Sequence, residues 1–254
     1  MKEEWRYIES NANTAAKNMA IDRAILVENS KGNSPVTLRF YEWAPPAISI
    51  GYFQGLLEEI DIDMCKKYGV EYVRRITGGG AVFHENELTY SIVIPESHKD
   101  ISKNIMESYG KICGALIKGL RYIGINSEYK PINDIVVGNK KISGNAQTRK
   151  HSTVLQHGTI LIDVDVDKMF SVLKVPNEKI KDKLISNTKE RVSSIRKILG
   201  KYISFNDLCS PLKKGFEEEF DIKLIKGELT SREKNLADRF EKECFANKLW
   251  NHKR

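Results

Sequence analysis

Three short stretches concentrate residues whose types can do chemistry. The first is Arg74-Arg75-Ile76-Thr77-Gly78-Gly79-Gly80-Ala81-Val82-Phe83-His84. Three consecutive glycines behind a strand-like segment cost conformational entropy, so some function must need them. Bare backbone lets amide groups approach a ligand closely and cradle an anion, and the paired arginines supply planar donors for carboxylate or phosphate. A mobile glycine turn flanked by surface arginines is the plainer alternative. The apolar Ala81-Val82-Phe83 step favours a ligand loop instead. The run is neither G-x-x-x-x-G-K-[ST] nor G-x-G-x-x-G, so the usual phosphate-loop classes do not apply.

The second stretch, Asn133 to Ala146, carries Lys140 and Lys141. These fall on opposite faces of a strand, one solvated and one inward. Ser143, Gly144 and Ala146 follow, and their small side chains would let the Lys141 ammonium reach into a site over nearly bare backbone. Ordinary edge-strand lysines fit the same residues. The third stretch, Leu155-Gln156-His157-Gly158-Thr159-Ile160-Leu161, sets a histidine inside an apolar strand. It is either a hydrogen-bonded core residue or a site group. No second histidine or cysteine stands at ligand spacing, so a protein-only metal site is a poor reading.

The elements that must position these groups can be read from periodicity. A helix capped by Asn13 or Thr14 runs to about Glu28, strands are expected at Val36–Tyr41 and Ala47–Tyr52, and a helix at Glu58–Lys67 ends near Gly69. Glu71–Ile76 and Leu88–Ile94 read as strands. Ile105, Tyr109, Ile112, Cys113, Leu116, Ile117 and Leu120 recur at helical spacing before Gly124. Asp134–Val137 and Lys141–Ala146 flank a tight turn at Gly138-Asn139, and Val154–Ile162 is a further strand. From about Asp165 the pattern is helical: Met169–Leu173, Glu178–Ile185, Asn206–Phe220 and Thr230–Phe245. Strict βαβ alternation is absent, so the expected fold is α/β of the α+β type, a mixed, largely antiparallel sheet flanked by helices.

With 254 residues and no linker, one domain is expected. No apolar stretch approaches membrane-spanning length, and the first residues lack the apolar core of a signal peptide. Four separated cysteines form no C-x-x-C pair, which disfavours zinc ribbons, redox dithiols and disulfide scaffolds. A cytoplasmic protein with reduced thiols is expected. The net charge of +7 is dispersed among acidic and apolar neighbours, as on a solvated surface rather than a nucleic-acid patch. Neither nucleic acid nor membrane is expected as a partner.

Together the three stretches resemble the lipoate-protein ligase and octanoyltransferase family, which shares its catalytic-domain fold with biotin protein ligases. RRITGGGAVFH, NDIVVGNKKISGNA and LQHGTILID each match a family motif, and the flanks at 38–41, 49–54, 191–192 and 249–251 agree. The resemblance implies joining of lipoate or octanoate to ATP, then transfer of the acyl group to a lysine of a lipoyl domain. Lys141 falls on the family's catalytic lysine. Arg75 and the run Gly78, Gly79, Gly80, Ala81, Val82 and Phe83 fall at nucleotide-binding positions, with Lys141 shared. Gly144, Ala146 and His157 fall beside lipoate. His84, Asn133 and Asp134 are weaker candidates, Asp134 for Mg2+ carried by ATP. The implied acceptors are lipoyl domains of 2-oxoacid dehydrogenase E2 subunits and the glycine cleavage H protein.

Octanoyltransferases of this family instead hold the acyl group on a cysteine. In the branch of similar length that cysteine precedes the Asp-Ile-Val-Val strand, where this chain has Asn126 to Ile132 and no cysteine. Cys113 falls on the apolar face of a helix. The main expectation is therefore an ATP-dependent lipoate-protein ligase of the short, two-component kind. Residues 1–254 would form one catalytic domain with a helical part from about 165, no C-terminal accessory domain, and a separate accessory subunit. Octanoyl or lipoyl transfer from a carrier protein or another lipoylated domain is the alternative, and a non-catalytic lipoate-binding module the second.

Overall fold

The computed structural model describes residues 2–175 and 181–254. The elements run β1 (Glu3–Glu9), α1 (Ala15–Ser30), β2 (Thr37–Tyr41), β3 (Ala47–Ile50), α2 (Leu56–Glu59), α3 (Ile62–Tyr68), β4 (Glu71–Arg74), β5 (Val82–His84) and β6 (Glu87–Pro95). They continue with α4 (Ile105–Arg121), β7 (Glu128–Lys130), β8 (Asp134–Val137), β9 (Lys140–Lys150), β10 (Thr153–Leu161), α5 (Val166–Val172), α6 (Lys181–Arg191) and α7 (Ile195–Leu199). The chain finishes with α8 (Phe205–Phe220), β11 (Ile222–Lys226), α9 (Ser231–Phe240), a π-helical turn (Glu241–Phe245) and α10 (Lys248–Asn251).

One sheet has the order β11-β1-β2-β6-β10-β9-β8-β7, and a smaller one the order β4-β3-β5. Pairings are antiparallel from β2 to β7, and parallel at β1–β2, β1–β11 and β3–β4. The mixed, mostly antiparallel sheet matches the sequence expectation.

Strand alternation sorts the large sheet into two faces. Leu38, Phe40, Leu88, Tyr90 and Ile92 join the core beneath α4 and α8. The opposite face carries Arg39, Tyr41, Ser91 and His157, polar groups buried under α1. Of the two caps the sequence offers, Asn13 and Thr14, it is Thr14 that caps α1 by accepting from Lys17 N. A third core lies under the small sheet, where Ile48, Ile50 and Phe83 meet Leu56, Cys65 and Val172.

Four strands escape the sequence reading: β1, β5, β7 and β11. The last corrects the helical part expected from about 165, because Ile222–Lys226 pairs with β1 at the sheet edge. Its residues are short of a full alternation and half exposed, so the pattern is faint. The single helix expected at Glu58–Lys67 is two, divided where Asp61 caps α3 by accepting from Met64 N. The helix start expected at Glu178 lies outside the described residues.

Strand β1, next to the edge strand β11, is tied to α9 by a buried ion pair. Glu233 accepts from Arg6 Nη1 at 2.8 Å, from Ser34 Oγ at 2.7 Å and from Thr230 N at 2.7 Å. Burial opposes its ionisation, but Arg6 and these donors outweigh burial and hold the carboxyl below its ordinary range. Its stabilising contribution is therefore complete above the unfolded carboxyl value, about pH 4, and is lost as pH falls through the lower folded value. Glu233→Gln leaves Arg6 buried without its charge partner. It should cost about 3–5 kcal/mol at pH 7 by urea unfolding, with the deficit shrinking in acid below about pH 4.

Candidate active site

The glycine loop between β4 and β5, the β8–β9 hairpin and strand β10 converge on one cavity of about 160 Å³. Of the residues singled out in the sequence, Arg75, Gly79, Gly80, Ala81, Val82, His84, Asn133, Lys141, Gly144, Ala146 and His157 line it. Gly78, Phe83 and Asp134 do not. Phe83 points into the core of the small sheet, because alternation along β5 aims it away from its neighbours Val82 and His84. Gly78 contributes its carbonyl to Arg75, and Asp134 reaches the site only through Lys141.

Arg75 shapes the loop. Its Nε donates to Thr77 Oγ1 at 3.1 Å, Nη1 to Ser49 O and Oγ at 2.8 and 3.2 Å, and Nη2 to the carbonyls of Gly78 and Gly80 at 2.7 and 2.8 Å. All five N–H groups are thus engaged, so Arg75 acts first as the frame of the glycine turn. Burial pulls its guanidinium down to about 10, still charged at neutral pH. Its partners are uncharged oxygens, which leaves its positive charge to attract an anion in the cavity. Gly79 has φ +96°, a left-handed conformation that favours glycine. Its carbonyl also presses on Gly51, where an added Cβ would lie 2.0 Å away. Among the described residues, no protein acceptor takes the amide N–H of Gly78, Gly79 or Gly80, as an anion cradle requires.

Arg74, equally prominent in the sequence, has a different task. It donates to the carbonyls of Gly51, Tyr52, Trp250 and Asn251, and Trp250 Nε1 returns a bond to Arg74 O at 2.8 Å. It fastens α10 behind the loop.

Lys141 enters the cavity from β9. A register shift near Ile135 and Val136 inserts one extra residue, Ile142, between Lys141 and Ser143. The bulge places Lys141 on the same face as Gly144 and Ala146. Its ammonium lies 2.7 Å from Asp134 Oδ1 and 2.8 Å from where a Cβ on Gly144 would stand. The side chain keeps 40% exposure, so an incoming molecule can reach it. Lys140 is the solvated member of the pair. Ser193 N donates to Lys141 O at 2.8 Å, tying the end of α6 to this strand.

Two histidines complete the wall. His157 Nε2 meets Thr77 Oγ1 at 2.7 Å, and its Nδ1 lies 3.6 Å from Asp22 Oδ2. Burial pushes its pKa below the usual range against the pull of Asp22, so the ring is neutral at pH 7. Asp22 is itself buried, yet the Arg39 guanidinium at 2.8 Å and the Ser91 hydroxyl donating to it hold its carboxyl below the ordinary range. His84 stacks on Trp43 with centroids 4.0 Å apart, and is held between Ser49 Oγ and Glu87 Oε1, each at 2.7 Å. Sequence reasoning missed Ser49, Trp43, Thr89 and Asp22. Trp43 and Asp22 lie outside the motifs, and Ser49 and Thr89 stand beside the motifs with no feature in the sequence that assigns them to the site.

The four cysteines are buried and stand apart from this cavity. Burial raises Cys113 and Cys209 to about 12 and Cys65 to about 11, and also raises Cys244, so none is a thiolate at neutral pH.

The close approach at Gly144 is directly testable. Gly144→Ala should displace the flexible end of Lys141 while leaving the unfolding midpoint nearly unchanged. A misplacement of this size should lower turnover at the site about 10²-fold in a steady-state assay.

Comparison with known proteins gives this geometry a family. Residues 14–217 match the model of the "Lipoyl protein ligase A/B catalytic domain". Octanoyltransferase LipM of Clostridioides difficile is 39% identical over 271 residues, covering 99% of each chain. Octanoyltransferase LipM of Bacillus subtilis is 33% identical, covering 100% of this chain and 99% of the relative. Among solved structures, the bi-partite lipoate protein ligase of Thermoplasma acidophilum, described with its E2 lipoyl domain, superposes with a TM-score of 0.89. It is 30% identical and covers 98% of this chain and 96% of its own. A lipoate-protein ligase A bound with ATP has a TM-score of 0.84 at 29% identity, covering 99% of each chain. With this match across most of its length, and with its glycine loop and Lys141 on one cavity, the chain belongs to the lipoyl protein ligase A/B catalytic-domain family.

Proposed function

We propose that this chain transfers an octanoyl- or lipoyl-type acyl group to the ε-amine of a lysine on a lipoyl-type acceptor domain. The observation that carries the reading is the accessible Lys141 ammonium, held over bare backbone on the wall of a small cavity beside the glycine loop. A fixed cation there stabilises the oxyanion that develops when an amine attacks an acyl carbonyl. The sheet wall at Gly144, Ala146 and His157 would take the acyl chain.

Two donors suit the site. The relatives named octanoyltransferases favour a carrier-protein thioester over the ATP-dependent ligase expected from the sequence. The cavity wall, which holds no cysteine, and the similarity to an ATP-bound ligase favour an acyl adenylate made from the free acid. In that second case Arg75, the free glycine amides and Lys141 would hold the phosphate and carboxylate. Asp134, with Asn133 beside it, would be the carboxylate nearest a phosphate-borne Mg2+, though Oδ1 is already committed to Lys141. Acceptors would be lipoyl domains of E2 subunits and of the glycine cleavage H protein, with an accessory subunit assisting transfer.

Intact-mass analysis of an acceptor domain decides between the donors. Acylation from an octanoyl-carrier thioester without ATP selects the transferase, and acylation from free acid only with ATP selects the ligase. Modification by neither donor sinks the whole reading. Lys141→Ala should lower transfer by about 10²–10³-fold from either donor, with folding intact. Cys113→Ser should leave transfer unchanged and cost only about 1–3 kcal/mol in stability, since the thiol is a packing group.

A further inference from the structure

A covalent transferase route needs an atom that can hold the acyl group between donor and acceptor, and among the described residues no thiol lines the cavity. The structure offers another nucleophile. Ser49 on β3 lines the cavity, and its Oγ lies 2.7 Å from His84 Nε2. His84 Nδ1 lies 2.7 Å from Glu87 Oε1. Glu87 Oε1 also accepts from Thr89 Oγ1 at 2.6 Å, and Thr89 accepts from Trp43 Nε1 at 2.7 Å while Trp43 stacks on the imidazole. A carboxylate only accepts, so a single ring proton on His84 belongs on Nδ1, beside Glu87. Nε2 is then free to accept from the serine hydroxyl. Arg75 Nη1 donates to the same Oγ at 3.2 Å and would stabilise negative charge on it. A nucleophile, a base and an orienting carboxylate within hydrogen-bond reach are the parts that serine acyl transfer requires.

We propose that Ser49 is a covalent acyl carrier, with His84 as its general base and Glu87 as the positioning residue. The proposal rests on the thioester-donor reading above. Ser49 Oγ attacks the thioester carbonyl and its proton passes to His84 Nε2. The C–S bond breaks, and the thiolate leaves with that proton as the carrier thiol. The acceptor lysine, as the free amine, then attacks the Ser49 ester. The C–O bond breaks, His84 takes the amine proton and returns it to Oγ, and the product is an amide with Ser49 restored. Lys141 lines the same cavity as Ser49 and would stabilise the oxyanion of both steps.

A second relay, Thr77–His157–Asp22, shows what a structural version looks like. There the hydroxyl is fully buried away from the cavity, and the carboxylate stands 3.6 Å from the ring nitrogen, beyond hydrogen-bond range. Only the Ser49 chain is hydrogen-bonded throughout and open to the cavity.

The test incubates the full chain with an octanoyl-carrier-protein thioester, with no acceptor and no ATP, followed by acid quench, intact mass and peptide mapping. One added octanoyl group on the peptide containing Ser49 is expected, discharged when a lipoyl-domain acceptor is added. Ser49→Ala should lose the adduct and the transfer together. His84→Gln should slow adduct formation about 10²–10⁴-fold. Glu87→Gln should lower the rate at saturating donor with KM unchanged. Undiminished transfer from the thioester by Ser49→Ala, or an adduct mapped to a cysteine, overturns the proposal and leaves the transferase reading standing. An inert thioester, no adduct and acylation only with ATP and free octanoate overturn both. The trapping on the unaltered chain is read independently of whether any variant folds.

Discussion

A single buried guanidinium sets the form of the site. Arg75 spends its five N–H groups on oxygens of Ser49, Thr77, Gly78 and Gly80. Those bonds bend the glycine run back on itself and turn carbonyls toward the arginine. The Gly79 N–H shares a peptide unit with the Gly78 carbonyl and so points away from the arginine, and among the described residues it has no protein acceptor. The arrangement also explains why glycine is needed there: at Gly79 the backbone has φ +96°, and at Gly51 the opposing carbonyl occupies the place of a side chain.

The rest of the fold keeps this frame from relaxing. Arg74 pins α10 behind the loop, and Phe83 anchors the strand that leaves it in the core of the small sheet. Below, the polar face of the large sheet is closed by α1, where Asp22 meets Arg39, Tyr41 and Ser91. Such a network is costly to bury unless every member is satisfied. Its placement under His157 gives one wall of the cavity a rigid, largely neutral lining. On the other side, the β9 bulge and the tie from Ser193 hold Lys141 at the mouth. The site is thus fixed at its base, while the Lys141 side chain stays 40% exposed.

The sequence by itself determined a good deal. Helical spacing from Ile105 to Leu120, the threonine cap of α1 and the turn at Gly138-Asn139 are local effects, decided within a few residues, and each is found in place. The glycine run and the small residues after Lys141 were legible because their absence of side chains has no local advantage. They point to a tertiary demand even when that demand is unseen. Their motifs were specific enough to indicate the family.

Tertiary structure decided the rest. Strand parity alone groups Lys141 with Ser143 and Asn145; one bulged residue moves it to the face of Gly144 and Ala146. The strand β11 has too weak an alternation to declare itself, and exists because the edge of β1 offers it backbone partners. Arg74 and Arg75 are indistinguishable as neighbours in a sequence, yet successive side chains on an extended segment point opposite ways. One therefore secures α10 and the other frames the glycine loop. Ser49, His84 and Glu87 lie 35 and 3 residues apart, a spacing with no periodic meaning. Only the pairing of β3 with β5 and the start of β6 beside them bring the three side chains into one hydrogen-bonded line, since contact across strands depends on register, which no local preference encodes.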